Sequence, residues 1–212
     1  MFSVNEQDYL RSIYELQSSC GGSVRTVDIA KELGISKPSA SQMISKLKGK
    51  GMVERKPYGA VSLTLKGVVE ARKVLRRHRL LEVFLVKLLG LKNGFHREAH
   101  AMEHSMSDVS ERLLEKLVGH PKKCPDGREI PPARRKVISL HEAPVGRSLR
   151  VIFSRLGNPD ELDRIKSLGL IGGEQVRITR RVSGGPLIVL VKGSDIALGK
   201  GVSSQVYVEV LA

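Results

Sequence analysis

Apolar residues recur every three or four positions through the first fifty residues, in three segments separated by turn residues. The first segment covers residues 5–19. The second follows Thr26, a good helix N-cap, and stops at Gly34. Ser36 is a second N-cap, and Pro38 lies in the first turn after it. This spacing predicts three helices, the last two joined by a tight turn as in a helix-turn-helix.

The pattern changes after Gly49-Lys50-Gly51. Residues 52–56 and 60–64 are predicted to form two short strands around the turn Pro57-Tyr58-Gly59. Since a hairpin directly after a helix-turn-helix is a wing, residues 1–65 are predicted to form a winged helix-turn-helix DNA-binding domain. The alternative is a three-helix core with no role in nucleic-acid binding.

The exposed face of the third predicted helix carries small and polar residues at its N-terminal end, which allow close approach to the major groove floor. Gln42 can bond adenine through two hydrogen bonds, and Pro38 and Ser39 can contact a thymine methyl group. Lys46 suits a phosphate, although a single lysine is more often ordinary surface. The candidate DNA-binding residues are Ser36, Lys37, Pro38, Ser39, Gln42 and Lys46.

Helical periodicity resumes at Lys66 and continues, with a turn at residues 90–94, to Leu117. Residues 66–120 are therefore predicted to form a helical domain. These helices contain more leucine than so short a segment can bury by itself. We expect the surplus to be buried against a second copy of the chain, which predicts a homodimer.

The residue pattern of the C-terminal third differs from that of the helical segments before it. Residues 121–139 contain four prolines and several basic residues, and are predicted to form an exposed basic linker. From residue 140 onward, short apolar strands alternate with glycine turns, with one short helix at residues 159–168. Residues 140–212 are predicted to form a small β-barrel. The fold class is therefore mainly α with a β C-terminal domain.

Metal-ligating side chains are concentrated in residues 96–104, His-Arg-Glu-Ala-His-Ala-Met-Glu-His. On a helix, four of them share one arc of roughly 100°, namely His96, His100, Glu103 and His104. Upstream, His78 and Glu82 lie four residues apart, which places both on one helical face. Imidazole and carboxylate ligands suit borderline divalent metals, so these residues predict a metal centre.

Residues 96–104 are also compatible with a metal-dependent enzyme. It contains His-x-x-Glu-His, the inverzincin peptidase signature, in which His100 and His104 would bind the metal and Glu103 would be the base. The small size and the winged helix argue against a peptidase. A di-iron oxidase is disfavoured because no Glu-x-x-His motif is present. A third hypothesis is a DNA-binding protein whose histidines are purely structural.

Composition narrows the class of partner. The 212 residues carry a formal charge of +14, which favours an anionic partner, with nucleic acid first; the alternative is a generally basic soluble protein. Cys20 and Cys124 imply no disulfide framework, and Cys124 has no second cysteine nearby for a zinc site. The most apolar run, residues 80–91, is too short and too charged to span a bilayer. We expect a cytoplasmic protein with no membrane partner.

Together these residues resemble the diphtheria toxin repressor family of metal-dependent transcription regulators. The stretch from Leu168-Gly-Leu-Ile-Gly-Gly to Leu198-Gly-Lys-Gly resembles the SH3-like domain of the ferrous iron transport protein A family. The resemblance covers nearly the whole chain. It implies a primary metal site of Asp8, His100, Glu103 and His104, an ancillary site of His78, Glu82 and His96, and a recognition helix over residues 36–42.

This chain departs from the founding members of the family. His100 stands where iron-responsive founders have cysteine, and Asp8 stands where they have methionine. Arg11 replaces a carboxylate of binuclear manganese regulators. Aspartate with imidazole is a harder ligand set that suits Fe(II) or Mn(II), with other divalent transition metals binding in vitro. The positions of the family's C-terminal ligands hold Phe153 and Leu156, which offer no ligand atoms.

The resemblance implies a repressor of metal-homeostasis genes that binds a double-stranded DNA operator as a homodimer. A metal held by residues 100–104 gains Asp8 only if the first helix docks on the dimerisation helices. Metal binding would then favour the arrangement that binds the operator.

Overall fold

The structure, a computed structural model, describes residues 2–20, 24–55, 60–133, 137–156 and 158–211. It divides into two compact units. The first unit combines Met1–Arg11 with Val69–Arg134, and the second combines Ser12–Val68 with Arg135–Ala212. Within the described residues, the elements in chain order are α1 (Val4–Cys20), β1 (Val24–Arg25), α2 (Thr26–Glu32), α3 (Lys37–Gly49), β2 (Val53–Arg55), β3 (Ala60–Leu63), α4 (Leu65–Lys87), α5 (Phe95–Glu103), α6 (Asp108–Leu117), β4 (Val137–Ser139), β5 (Ser148–Ser154), α7 (Pro159–Ser167), β6 (Gln175–Arg181), β7 (Leu187–Val191), β8 (Ser194–Leu198), α8 (Lys200–Ser203) and β9 (Val206–Val210).

The second unit contains the predicted helix-turn-helix, formed by α2 and α3. Gly34 turns the chain between them with a φ of 64°, a left-handed conformation that favours glycine. As predicted, the Ser36 side chain caps α3 by accepting a backbone N–H, and Pro38 lies in the first turn. The prediction of Thr26 as an N-cap was wrong. Arg25 holds that position, its side chain makes no capping hydrogen bond to the helix backbone, and Thr26 is already helical.

A three-stranded antiparallel sheet accompanies these helices, in the order β1-β3-β2. The pairing of β2 with β3 forms the two strands predicted for the wing, while residues 56–59, its predicted turn, lie outside the described residues. Helix α3 buries Ala40, Ile44 and Leu47, so its opposite face is left in solvent. The candidate DNA-binding side chains lie on that exposed face.

The remainder of the second unit is a six-stranded antiparallel sheet with the order β4-β9-β5-β6-β7-β8. Its core is built from aliphatic residues that alternate along the strands, such as Val176 and Ile178 on β6. The prediction of a β C-terminal domain is confirmed. Strand β4 was not predicted, since three residues beside a proline-rich segment give little local signal.

In the first unit, the segment after α6 packs on α4. The side chains of Cys124 and Ile130 are buried in one cluster with Leu80 and Val83 of α4. The predicted exposed character of residues 121–139 was therefore wrong at these two positions, and Pro131, Val137 and Ser139 are buried as well. Lys122, Lys123 and Arg128 are exposed as expected. Residues 134–136 of the predicted linker lie outside the described residues.

Helix α6 is held on α4 by buried charges. The Nε atoms of Arg76 and Arg77 donate to the two carboxylate oxygens of Glu111, at 2.8 and 3.0 Å. Arg76 Nη1 also donates to the backbone oxygen of Pro131, at 2.6 Å. Buried charges persist in a protein only when they are paired in this way, so the network fixes which face of α6 points inward.

We expect Gly67→Ala to destabilise the protein by about 1–3 kcal/mol. A Cβ at residue 67, in the first turn of α4, would lie 2.1 Å from the backbone oxygen of Met52, so the backbone must shift. Gly49→Ala is the control. No heavy atom lies within 4 Å of a Cβ there, and this change should stabilise helix α3 by about 0.4–1 kcal/mol. Urea unfolding measures both, and equal effects would contradict the steric argument.

Candidate metal centre

Four side chains of the first unit form a primary cluster: Asp8, His100, Glu103 and His104. Each offers one ligand atom, and these atoms all lie within 4.8 Å of one another. Glu103 Oε1 lies 3.0 Å from His100 Nδ1 and 3.3 Å from His104 Nε2. Asp8 Oδ1 lies 3.2 Å from His104 Nε2 and 3.7 Å from His100 Nδ1. Two carboxylates and two imidazoles therefore surround one point.

Local structure explains why three of these ligands meet. Gly94 adopts a φ of 74° at the N-cap of α5, which lets the helix start immediately after the preceding turn. Ala99, fully buried, packs the helix against Leu81 and Leu85 of α4. Residues three and four apart on a helix are neighbours, so Glu103 and the C-cap residue His104 lie beside His100. Asp8 comes from the second turn of α1.

Two atoms of the primary cluster indicate that it fits a divalent cation. Asp8 Oδ1 and His104 Nε2 are buried and make no hydrogen bond, although they lie only 3.2 Å apart. Buried polar atoms without partners are unfavourable and rare. A cation bound by the oxygen and by the nitrogen lone pair would satisfy both atoms. The side chains present thus match the ligand set predicted from the sequence.

Gln7, which the sequence analysis missed, orients one ligand. Its Oε1 lies 2.8 Å from His104 Nδ1, and an amide oxygen can only accept. His104 Nδ1 therefore carries the hydrogen, which leaves the Nε2 lone pair directed at the cluster. The position of Gln7 next to Asp8 in the sequence is the one signal that could have indicated this role.

A second cluster consists of His78, Glu82 and His96. His78 Nε2 lies 2.8 Å from Glu82 Oε1, and His96 Nδ1 contacts the same oxygen. Helical spacing alone put His96 in one arc with the residues of the primary cluster. The structure groups it with His78 and Glu82 instead, as the family resemblance implied.

Two further side chains of the first unit reach the second cluster from the segment after α6. The Cys124 thiol is hydrogen-bonded to Glu82, and Asp126 Oδ2 lies 2.9 Å from His96 Nε2. Burial and the Glu82 carboxylate together raise the pKa of the Cys124 thiol. The sequence analysis set Cys124 aside because no second cysteine lies nearby. The missed signal was the turn Cys-Pro-Asp-Gly, which brings a thiol and a carboxylate to one place.

His78 touches both clusters, because its Nδ1 lies 2.6 Å from Glu103 Oε2. Burial by itself lowers the pKa of His78, but hydrogen bonds to Glu103 and Glu82 outweigh it and leave that pKa raised. Burial raises the pKa of Glu103, but the hydrogen bond from His78 and the charge of Arg11 leave it lowered. Both pKa shifts favour a protonated His78 between the carboxylates of Glu103 and Glu82 in the metal-free protein.

The remaining predicted residues lie in the second unit. The candidate DNA-binding residues, Ser36, Lys37, Pro38, Ser39, Gln42 and Lys46, are all exposed on α3 or at its N-cap. Arg55 of β2 donates to the Ser41 hydroxyl at 2.6 Å, which ties the wing strand to α3. Phe153 is buried and stacked on Tyr207, and Leu156 lies in the core of the β domain.

A winged helix-turn-helix in a chain that also holds a histidine–carboxylate centre defines a metal-responsive, DNA-binding transcription regulator. The comparisons with known families agree. The profile described as "Iron dependent repressor, N-terminal DNA binding domain" matches residues 1–61. The profile "Iron dependent repressor, metal binding and dimerisation domain" matches residues 64–132, and "FeoA domain" matches residues 138–210. The chain belongs to the iron-dependent repressor family, which includes the diphtheria toxin repressor.

Individual relatives extend over nearly the full length. The iron-dependent repressor IdeR of Mycobacterium leprae is 31% identical over 219 residues, which cover 95% of each chain. The diphtheria toxin repressor of Corynebacterium efficiens is 30% identical over 217 residues, covering 95% of this chain and 93% of the relative. A solved manganese-dependent transcriptional repressor in complex with manganese matches with a TM-score of 0.57 and 31% identity, covering 97% of this chain and 100% of that one.

The family consists of DNA-binding repressors and not of enzymes, which removes the peptidase alternative. The structure gives a physical reason. Glu103 is fully buried and both its oxygens face histidines, so it is badly placed to act as a base on solvent water. In the part of the chain that the structure describes, no helix has the length and apolar character needed to cross a membrane.

We expect two divalent ions per chain in the wild type, one in each cluster. His100→Ala and His96→Ala should each lower the number to one, because each change removes a ligand from a different cluster. Equilibrium dialysis against Mn(II) with elemental analysis measures the stoichiometry. His141→Ala, in the β domain, is the control and should retain two ions. Retention of two ions by His96→Ala would contradict the second site.

Proposed function

We propose that this protein is a Fe(II)- or Mn(II)-dependent repressor of metal-homeostasis genes that binds its operator as a homodimer. The observation that carries the proposal is the meeting of Asp8, from α1, with His100, Glu103 and His104. Their oxygen and nitrogen ligands suit Fe(II) and Mn(II). The relatives named above include both iron-dependent and manganese-dependent repressors, and one solved relative is named as a complex with Zn2+.

The chain's own residues supply the switch. A bound divalent cation provides positive charge that the carboxylates of Asp8 and Glu103 share. Asp8 can reach that charge only while the start of α1 lies against α5. Because α1 is one continuous helix from Val4 to Cys20, holding Asp8 also restrains the part that belongs to the DNA-binding domain. A coupling of about 1–3 kcal/mol would change operator affinity by about 5- to 150-fold.

The second cluster would hold a further ion through His78, Glu82 and His96. The nearby Cys124 thiol and Asp126 carboxylate add a sulfur and an oxygen to its surroundings. Cys124 would have to lose its thiol proton to bind a metal, and its sulfur would then be a softer ligand than any in the primary cluster. We therefore expect this site to accept softer divalent metals more readily than the primary site does.

The exposed face of α3 would read the operator in the major groove. Ser36, Lys37 and Ser39 lie at the helix N-terminus, where the positive end of the helix dipole favours a phosphate. Gln42 follows one turn later and can bond adenine, while Lys46 is suited to the backbone. The net charge of +14 supports the binding of DNA.

The homodimer would form through the outward face of α6. Val109, Leu113 and Leu117 are 55%, 63% and 63% exposed and follow one another at four-residue spacing on one face. Such an apolar stripe is unfavourable in water unless a partner covers it. The family profile over residues 64–132 is itself described as a dimerisation domain. A second copy of the chain is therefore the proposed partner.

We expect Leu113→Lys to shift the protein from dimer to monomer in light scattering, because a charge replaces the centre of the apolar stripe. Operator affinity should fall as well, since two recognition helices at fixed spacing are needed. Val145→Lys replaces a residue that is 48% exposed in the β domain and is the matched control. A Leu113→Lys protein that remains dimeric would place the interface elsewhere.

We expect Asp8→Ala to keep the fold and to lose most of the metal-dependent operator affinity, a change of about 5- to 150-fold. The assay is a gel shift on duplexes selected by the metal-loaded wild type, with Fe(II), Mn(II), Zn(II) and chelator in parallel. Asn5→Ala, exposed on the same helix, is the control. Equal affinity of wild type and Asp8→Ala in saturating Mn(II) would overturn the switch. Equal affinity of the wild type with metal and with chelator would favour structural histidines.

A further inference from the structure

Helix α1 brings a second side chain to the metal-binding helices, one turn after Asp8. Arg11 Nη1 lies 3.0 Å from His78 Nδ1 and 3.6 Å from Glu103 Oε2. The Arg11 side chain is only 19% exposed. Its Nε has no hydrogen-bond partner among the described residues, and His78 Nδ1, which donates to Glu103, cannot accept from Nη1. The ion pair of Nη1 with Glu103 Oε2 is therefore the attraction that holds the guanidinium.

Glu103 divides its two oxygens between different partners. Oε1 faces His100 and His104 of the primary cluster, and Oε2 faces His78 and Arg11. A carboxylate with no exposed surface needs a compensating charge nearby. Arg11 supplies one at every physiological pH, because a guanidinium does not lose its proton in proteins.

The two α1 side chains differ in when they can act. Asp8 Oδ1 is buried without a hydrogen-bond partner in the primary cluster, so a bound cation would supply the attraction that this oxygen lacks. Arg11 is attracted to Glu103 in the metal-free protein. One helix therefore contacts the cluster through a metal-dependent group and through a metal-independent group, three residues apart.

We infer that Arg11 is a positioning residue that docks the start of α1 on α5 before metal binds. Held by Arg11 and His78, Oε2 fixes the carboxylate of Glu103 so that Oε1 stays turned toward the primary cluster. Asp8 is then already in place when the ion arrives, and the cost of ordering α1 does not weaken the apparent affinity. The inference rests on the proposed function only in taking this cluster as the metal site.

Hydrogen–deuterium exchange of metal-free protein tests the docking directly. In Arg11→Gln, the backbone amides of residues 7–11 should exchange at least about tenfold faster than in wild type, since local opening no longer breaks an ion pair. Saturating Mn(II) should reduce that difference, because Asp8 then provides the attachment. Amides of α6 should be unchanged, which shows that the unit remains folded.

Asp8→Asn is the matched comparison and should show the reverse pattern. Its metal-free exchange over residues 7–11 should equal that of wild type, while the protection gained with Mn(II) should be lost. Arg11→Lys keeps the charge on a shorter head group, so its exchange should lie between wild type and Arg11→Gln. If Arg11→Gln fails to fold, Arg11→Lys is the variant on which the measurement is made.

Unchanged exchange over residues 7–11 in both Arg11 variants, without metal, would overturn the inference. That measurement uses neither metal nor DNA, so its outcome does not depend on the outcome of the gel shift. A protein that failed to bind Mn(II) or operator would contradict the proposed function and leave the metal-free comparison valid.

Discussion

The buried carboxylate of Glu103 is the constraint on which the helical unit depends. It has no contact with solvent, so every state of the protein must surround it with positive charge or hydrogen-bond donors. Its partners come from three helices: Arg11 on α1, His78 on α4 and the histidines that end α5. Satisfying one side chain therefore brings three separate chain segments together. The metal centre is built from the same contacts that hold the unit.

The two clusters are not independent, because His78 joins them. Its Nδ1 faces Glu103 and its Nε2 faces Glu82. An imidazole that gives the lone pair of one nitrogen to a metal keeps its hydrogen on the other. If His78 Nε2 binds a metal in the second cluster, Nδ1 keeps its hydrogen and donates it to Glu103. The second cluster therefore orients Glu103, a ligand of the primary cluster.

Local chemistry made much of this structure predictable from the sequence. Ser36 and Pro38 indicated where α3 starts, and the spacing of the histidines indicated the metal ligands. Both features depend on nearby residues, since helix caps and helical faces are local. Strand β1 could not be found in this way, since two residues become a strand only by pairing with β3. Cys124 was missed for a similar reason: its burial depends on α4, forty residues earlier in the sequence.

The helical unit is assembled from two stretches of chain that are far apart in sequence, Met1–Arg11 and Val69–Arg134. As the polypeptide leaves the ribosome, the N-terminal turns emerge long before the helices that neutralise and cover them. They remain without these partners while the segment that carries α2, α3 and the wing strands is synthesised. Such distant contacts form late. The DNA-binding segment is therefore synthesised in full before α5 exists, and the metal centre can be completed only afterwards.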